Sequence, residues 1–233
     1  MKDLIDHFKK IPGAISVYEA VGLYLTIINE CKIKFTYGAD LGSYAGKSSC
    51  VGSAALSEIN ACTHFCLVDP LYGDKDNPYT WRHTRGGNPR SWHFDQPNAN
   101  EIILADASKF SKLTHSLAGV PSVEFLESCP PLGYIFIDTD DHGPETIAEE
   151  LAFIKNKLLP GGIIAFHDYG NQYSAPLLAA EKLVASGEYE QLEIDWPRIN
   201  QLGDEYGGEE GNNSWQVYAE IPKTNFLGCV RRR

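Results

Sequence analysis

The sequence predicts an α/β protein built on a doubly wound parallel sheet, and three observations predict it. Short apolar runs of strand length end in an acid at Asp40, Asp69, Asp106, Asp138 and Asp168. The gaps between those acids are 29, 37, 32 and 30 residues, each close to the length of one strand–helix unit. Segments of helical spacing lie between the runs, and strands that alternate with crossover helices pair in parallel.

Taken in order, the elements begin with an amino-terminal helical segment, residues 1–32. Within "SVYEAVGLYLTIINEC", Val17, Ala20, Val21, Tyr24, Ile28 and Cys31 share one helix face. A strand runs from Phe35 to Leu41, and "KSSCVGSAALSEI" is a helix whose small residues allow close packing on a sheet. "THFCLVD", "EIILAD" and "LGYIFID" read as the next three strands. "PETIAEELAFIKNKLLPGG" is the clearest helix. Pro144 suits a first turn, and Glu145, Glu149 and Glu150 sit near the positive end of the dipole. Ile147, Leu151, Ile154 and Leu158 line one face, and Gly161 and Gly162 are expected to stop it. "GIIAFHD" follows as a strand, then a helix over about 174–186, a strand around "EYEQLEID", a polar loop and a last strand, "WQVYAEI".

With 43 % hydrophobic and 11 % aromatic residues, the 233-residue chain can bury a core, and a single domain over 1–233 is expected. The formal net charge of −11 repels duplex DNA and anionic membranes, so neither nucleic acid nor membrane is expected as a partner. The terminal "VRRR" reads as a solvated tail. No apolar stretch is long enough to span a bilayer, and "MKDLIDHFKKIPG" lacks the apolar centre of a secretory signal. Six cysteines lie scattered without a disulfide framework. Cys62 and Cys66 form the one close pair and read as buried thiols rather than as half of a metal site. A reducing, cytoplasmic location fits this usage.

Right-handed crossovers place the carboxyl ends of parallel strands on one edge, where open α/β sheets bind ligands. Five acids therefore converge on one rim; the alternative for each is a cap on the following helix. Beside Asp40, Gly42 lets the chain turn sharply and Gly46 opens the next helix to a ligand. The GxxxG pattern lacks the middle glycine of a dinucleotide fingerprint and the spacing of a phosphate-binding Walker loop. A nucleoside ligand fits better: Asp69 can accept both ribose hydroxyls and Asp106 an adenine amino group. Two rivals use the same rim, an NAD-linked oxidoreductase and a noncatalytic nucleoside-binding protein.

"ADLGSYAGKSS", "LVDPLYGD", "ILADA", "FIDTDDHGPETIAEEL" and "LLPGGIIAFHDYG" together resemble class I S-adenosylmethionine-dependent methyltransferases. The nearest group is the small-molecule and sugar O-methyltransferases, with cephalosporin-hydroxylase-like proteins beside them. The resemblance covers roughly residues 35 to 170 and implies a Rossmann-like methyltransferase fold. That fold is a mostly parallel seven-stranded sheet with helices on both faces, its seventh strand antiparallel. It implies that Asp40, Gly42, Ser43, Gly46 and Ser48 surround the methionine end of S-adenosylmethionine. It further implies that Asp69 holds the ribose, that Asp106 with Ala107 borders the adenine, and that the protein forms a homo-oligomer. In the sugar enzymes a metal lies on an acid after the fourth strand and an acid pair after the fifth. Here those positions are Asp138 and His167–Asp168, which would hold Mg²⁺, with His167 as ligand, base or turn cap; a structural hydrogen-bond network is the alternative.

"DTDDHG" offers bases beside that cluster. His142 is the preferred general base, with Asp141 and Asp138 as the other catalytic candidates; a solvated turn capping the next helix is the alternative. Residues 72–100 carry Trp81, Trp92, Arg82, Arg85 and Arg90 in a long loop at the ligand edge. This reads as a lid or substrate loop for a small hydroxylated acceptor, a sugar or glycosylated compound, with an oligomer contact or plain surface loop as the alternative. The function expected is therefore O-methylation of a small metabolite.

Overall fold

The computed structural model describes residues 1–13, 15–72, 98–139, 143–169, 174–207 and 227–233. Among them seven strands form one sheet: β1 (Tyr37–Leu41), β2 (His64–Val68), β3 (Thr114–Ala118), β4 (Leu132–Ile137), β5 (Leu158–Phe166), β6 (Tyr189–Gln191) and β7 (Gly228–Arg232). Their order across the sheet is β3-β2-β1-β4-β5-β7-β6. All pairings are parallel except those of β7, which runs antiparallel to β5 and β6. The chain steps outward from β1 to β3, then returns to β4 on the other side of β1. The order thus reverses between β1 and β4, at the position where open sheets bind ligands.

Eight described helices accompany the sheet: α1 (Lys2–Phe8), α2 (Val17–Glu30), α3 (Lys47–Glu58), α4 (Ala99–Ser108), α5 (Ser122–Ser128), α6 (Pro144–Lys157), α7 (Ser174–Ala185) and α8 (Trp196–Glu205). They cover both faces, as the alternation in β4 requires. Tyr134 and Phe136 enter the core beneath α1, α2 and α3, whereas Ile135 and Ile137 enter the one beneath α6 and α7. Each of these side chains is buried, and such burial stabilises by about 1.5–3 kcal/mol per large apolar residue. Strands buried on both faces read as continuous apolar runs, which is why β1, β2, β4 and β5 stood out in the sequence.

Helix α2 starts with a capping box that fixes its first turn. Ser16 Oγ accepts from the Glu19 backbone N–H at 3.2 Å, and Glu19 Oε2 accepts from the Ser16 N–H at 2.8 Å. The helix then packs on α3 and α8. It lies in the main core, so the amino-terminal segment is structural as well as peripheral in sequence.

Four expectations need correction. "EIILAD" is the body of α4, not a strand: Ala99, Ile103 and Ala107 bury one face at helical spacing. The third strand is instead "THSLA", a sheet-edge strand whose polar residues left no apolar run to read. Gly161 and Gly162 do not stop α6; the helix ends at Lys157 and both glycines lie within β5. The antiparallel seventh strand is Gly228–Arg232, while "WQVYAEI" falls outside the described residues. The terminal arginines are consequently no free tail. Val230 is buried, and Arg231 donates to Glu190 Oε1 at 2.6 Å and to Glu30 Oε2 at 3.1 Å.

Candidate active site

The carboxyl ends of five strands are in register, in the order Ala118, Val68, Leu41, Ile137 and Phe166 across the sheet. Backbone bonds carry that alignment one residue past the strands. Gly42 N–H donates to Val68 O at 2.8 Å, Asp138 N–H to Leu41 O at 2.9 Å, His167 N–H to Ile137 O at 3.0 Å and Asp69 N–H to Ala118 O at 3.1 Å. Asp69 and Asp138 directly follow β2 and β4, Asp168 stands two residues past β5, and Asp40 is the penultimate residue of β1.

Gly42 turns at φ +82, and a Cβ there would stand 2.0 Å from the Asp138 carbonyl oxygen. Only glycine permits that close approach, which joins the first bend to the end of β4. Gly46 (φ +81) starts α3 without a side-chain cap. Between them, Ser43 Oγ is 2.8 Å from the Tyr72 hydroxyl, which also donates to the Tyr44 carbonyl. Asp69 secures the same loop: Oδ2 accepts from Tyr44 N–H and Oδ1 from Leu71 N–H, each at 2.9 Å.

Asp40 is fully buried within β1. Its Oδ2 accepts from Ser48 Oγ at 2.6 Å and Ser49 Oγ at 2.5 Å, while Oδ1 has no donor among the described residues. Burial raises its pKa from 3.8 to about 7 against the pull of the two serines, with the charges of Asp138 and Asp69 adding to the rise. Ser48 was expected at the site, and Ser49 emerges beside it.

At the far end of the rim, Asp138, His167 and Asp168 gather as expected, their potential ligand atoms all within 4.8 Å of one another. His167 Nδ1 lies 2.8 Å from Asp138 Oδ1 and 3.6 Å from Asp168 Oδ2. Asp168 sits at φ +54, a left-handed conformation that costs energy outside glycine and is tolerated where surroundings enforce it. His167 Nε2 faces Glu19 Oε1 at 3.0 Å, and both side chains are buried. Burial by itself lowers the histidine pKa, yet the Asp138 and Glu19 carboxylates outweigh it and hold it well above the ordinary range. Glu19 was not anticipated: nothing in the sequence ties residue 19 to residue 167.

Asp106 and Ala107 are not where the sequence reading put them. Both lie in α4, which packs along α3, so neither ends a strand. The Asp106 carbonyl is 3.1 Å from His7 Nε2 of α1, and the Ala107 carbonyl accepts from Ser53 Oγ at 3.1 Å. The residues that end the third strand are Ala118 and Gly119. Asp141 and His142, the base candidates, lie outside the described residues, as does most of the loop over 72–100.

The strand order, the glycine bend at the switch point and the carboxylates beside it define a Rossmann-like methyltransferase fold. Residues 39–169 match the family described as "Methyltransferase domain", and the chain belongs to that family. No curated protein matches it in sequence. Among solved structures, a candidate O-methyltransferase from Klebsiella pneumoniae aligns with a TM-score of 0.53 at 13 % identity, over 99 % of this chain and 87 % of that one. A candidate methyltransferase from Streptococcus mutans, SMU.1697c, solved with S-adenosylhomocysteine, aligns with a TM-score of 0.50 at 10 % identity, over 90 % and 95 % of the two chains. Likeness at such identities speaks for the fold. The protein is an S-adenosylmethionine-dependent methyltransferase, and no described helix is long and apolar enough to cross a membrane.

Proposed function

We propose that this protein is an O-methyltransferase acting on a small hydroxylated metabolite, of the sugar or glycosylated class, beside a divalent cation. The observation that carries the reading is the contact of Gly42 with the Asp138 carbonyl, which sets the cofactor bend directly against the cation cluster.

S-adenosylmethionine supplies an electrophilic sulfonium methyl. The residues fit it: Asp40 Oδ1, which has no donor among the described residues, faces the methionine ammonium, and Asp69, at the end of β2, takes the ribose hydroxyls. Ala118 and Gly119, rather than Asp106 and Ala107, border the adenine. Asp138, Asp168 and the Nδ1 of His167 fit a divalent cation, a mixed oxygen and nitrogen set that suits Mn²⁺ at least as well as Mg²⁺. When bound, such a cation supplies Lewis acidity that makes an acceptor hydroxyl easier to ionise. The chain's own task is to hold the acceptor oxygen in line with the methyl, which contributes through orientation rather than through covalent chemistry. His142 or Asp141 receives the proton.

Calorimetry with S-adenosylmethionine, followed by methyl transfer to hydroxylated acceptors with and without EDTA, tests the reading. Asp69→Ala should weaken cofactor binding by about 10- to 100-fold, the loss of one or two hydrogen bonds to a charged group. Unchanged affinity would remove Asp69 from the site, and turnover indifferent to EDTA would remove the cation.

A further inference from the structure

The family match begins at residue 39, yet a buried acid from residue 19 reaches the reacting rim. Glu19 uses its two oxygens differently. Oε2 accepts from the Ser16 N–H at 2.8 Å, which pins the carboxylate to the first turn of α2. Oε1 faces His167 Nε2 at 3.0 Å. On its other side the imidazole turns Nδ1 toward Asp138 and Asp168. A histidine that gives its outer N–H to a carboxylate is held in one tautomer and ring orientation, and its remaining nitrogen becomes the better ligand.

We propose that Glu19 is a positioning residue of the cation site: its buried Oε1, paired with His167 Nε2 at 3.0 Å, holds the imidazole so that Nδ1 is directed at the metal held with Asp138 and Asp168. This rests on the cation reading given above. Helix α2 thereby becomes part of the reacting centre although it lies outside the matched family region. The capping box serves both ends at once, because the bond that starts the helix also fixes the acid that orients the histidine.

The chemistry of the carboxylate makes this separable from a structural role. Glu19→Gln keeps the volume but removes the charge and turns one of the two oxygens into an NH2 donor, so it cannot present an acceptor oxygen at both the Ser16 and the His167 positions. Ser16→Ala removes the other half of the capping box and leaves the Glu19–His167 contact in place. The measurement is Mn²⁺ affinity of metal-stripped protein, followed by loss of the free-ion paramagnetic resonance signal. S-adenosylmethionine affinity from calorimetry is measured alongside.

Glu19→Gln should weaken Mn²⁺ binding by about 10- to 100-fold, the usual effect of removing such an outer partner, with cofactor affinity retained. Ser16→Ala should lower the melting temperature and leave Mn²⁺ affinity alone. Equal Mn²⁺ affinity in Glu19→Gln and wild type would overturn the inference while the cation reading stood. So would an equal loss in Ser16→Ala, or a parallel loss of cofactor binding in Glu19→Gln, since either marks general loosening of α2. Wild-type protein that binds no Mn²⁺ would remove the cation reading and this inference together.

Discussion

Replacing Asp40 by asparagine should stabilise the cofactor-free protein, and by an amount that depends on pH. Asp40 is fully buried, with two serine hydroxyls on one oxygen and, among the described residues, no donor on the other. Its pKa rises from an ordinary 3.8 to about 7. Between those values the folded state holds a proton that the unfolded chain has released, so stability falls as pH rises. The whole interval is worth about 4 kcal/mol at 1.36 kcal/mol per pH unit. Asparagine resembles the neutral acid and has no such dependence. Urea unfolding of wild type and Asp40→Asn, from about pH 5 to about pH 8, should therefore show the variant gaining about 3 kcal/mol over wild type, flattening above about pH 7. Under the proposed site, saturating S-adenosylmethionine should narrow that gap, because its ammonium would give the carboxylate a partner. A stability difference that stays constant over the range would refute the burial argument.

Two further outcomes bear on the rim and on the carboxyl terminus. Gly42→Ala combines a left-handed backbone with a Cβ 2.0 Å from the Asp138 carbonyl. It should cost about 3 kcal/mol or more and abolish cofactor binding, read by thermal unfolding and calorimetry; a stable, binding variant would discredit the described bend. Arg231→Ala removes a guanidinium shared by Glu30 and Glu190, each partly exposed. Discounted for solvent screening, the loss should be about 1–2 kcal/mol in urea unfolding, and no loss would restore the picture of a solvated tail.

Much of the fold was legible in the sequence wherever a strand is buried on both faces. β1, β2, β4 and β5 appear as apolar runs, and the acids at or just past their ends mark the edge where parallel strands end. The glycine bend was legible too, because Gly42 and Gly46 adopt conformations that other residues avoid. What failed was local in cause. "EIILAD" carries too few residues to separate a buried helix face from a strand, and "THSLA" lies on the sheet edge, where polar side chains hide its period. The terminal arginines looked solvated because charge alone does not show that Glu190 on the neighbouring strand and Glu30 at the end of α2 meet Arg231.

By itself, then, the sequence determined the alternation of strand and helix, the strand-end carboxylates and the glycine turn, since each depends on short-range patterning or on backbone sterics. Only the tertiary structure decided which residues meet across the chain. It set Gly42 on Asp138, Arg231 between two acids, and Glu19 against His167, which lies 148 residues later in the sequence. The reason is that such contacts arise from how helices settle on a twisted sheet, and residue spacing carries no record of that packing.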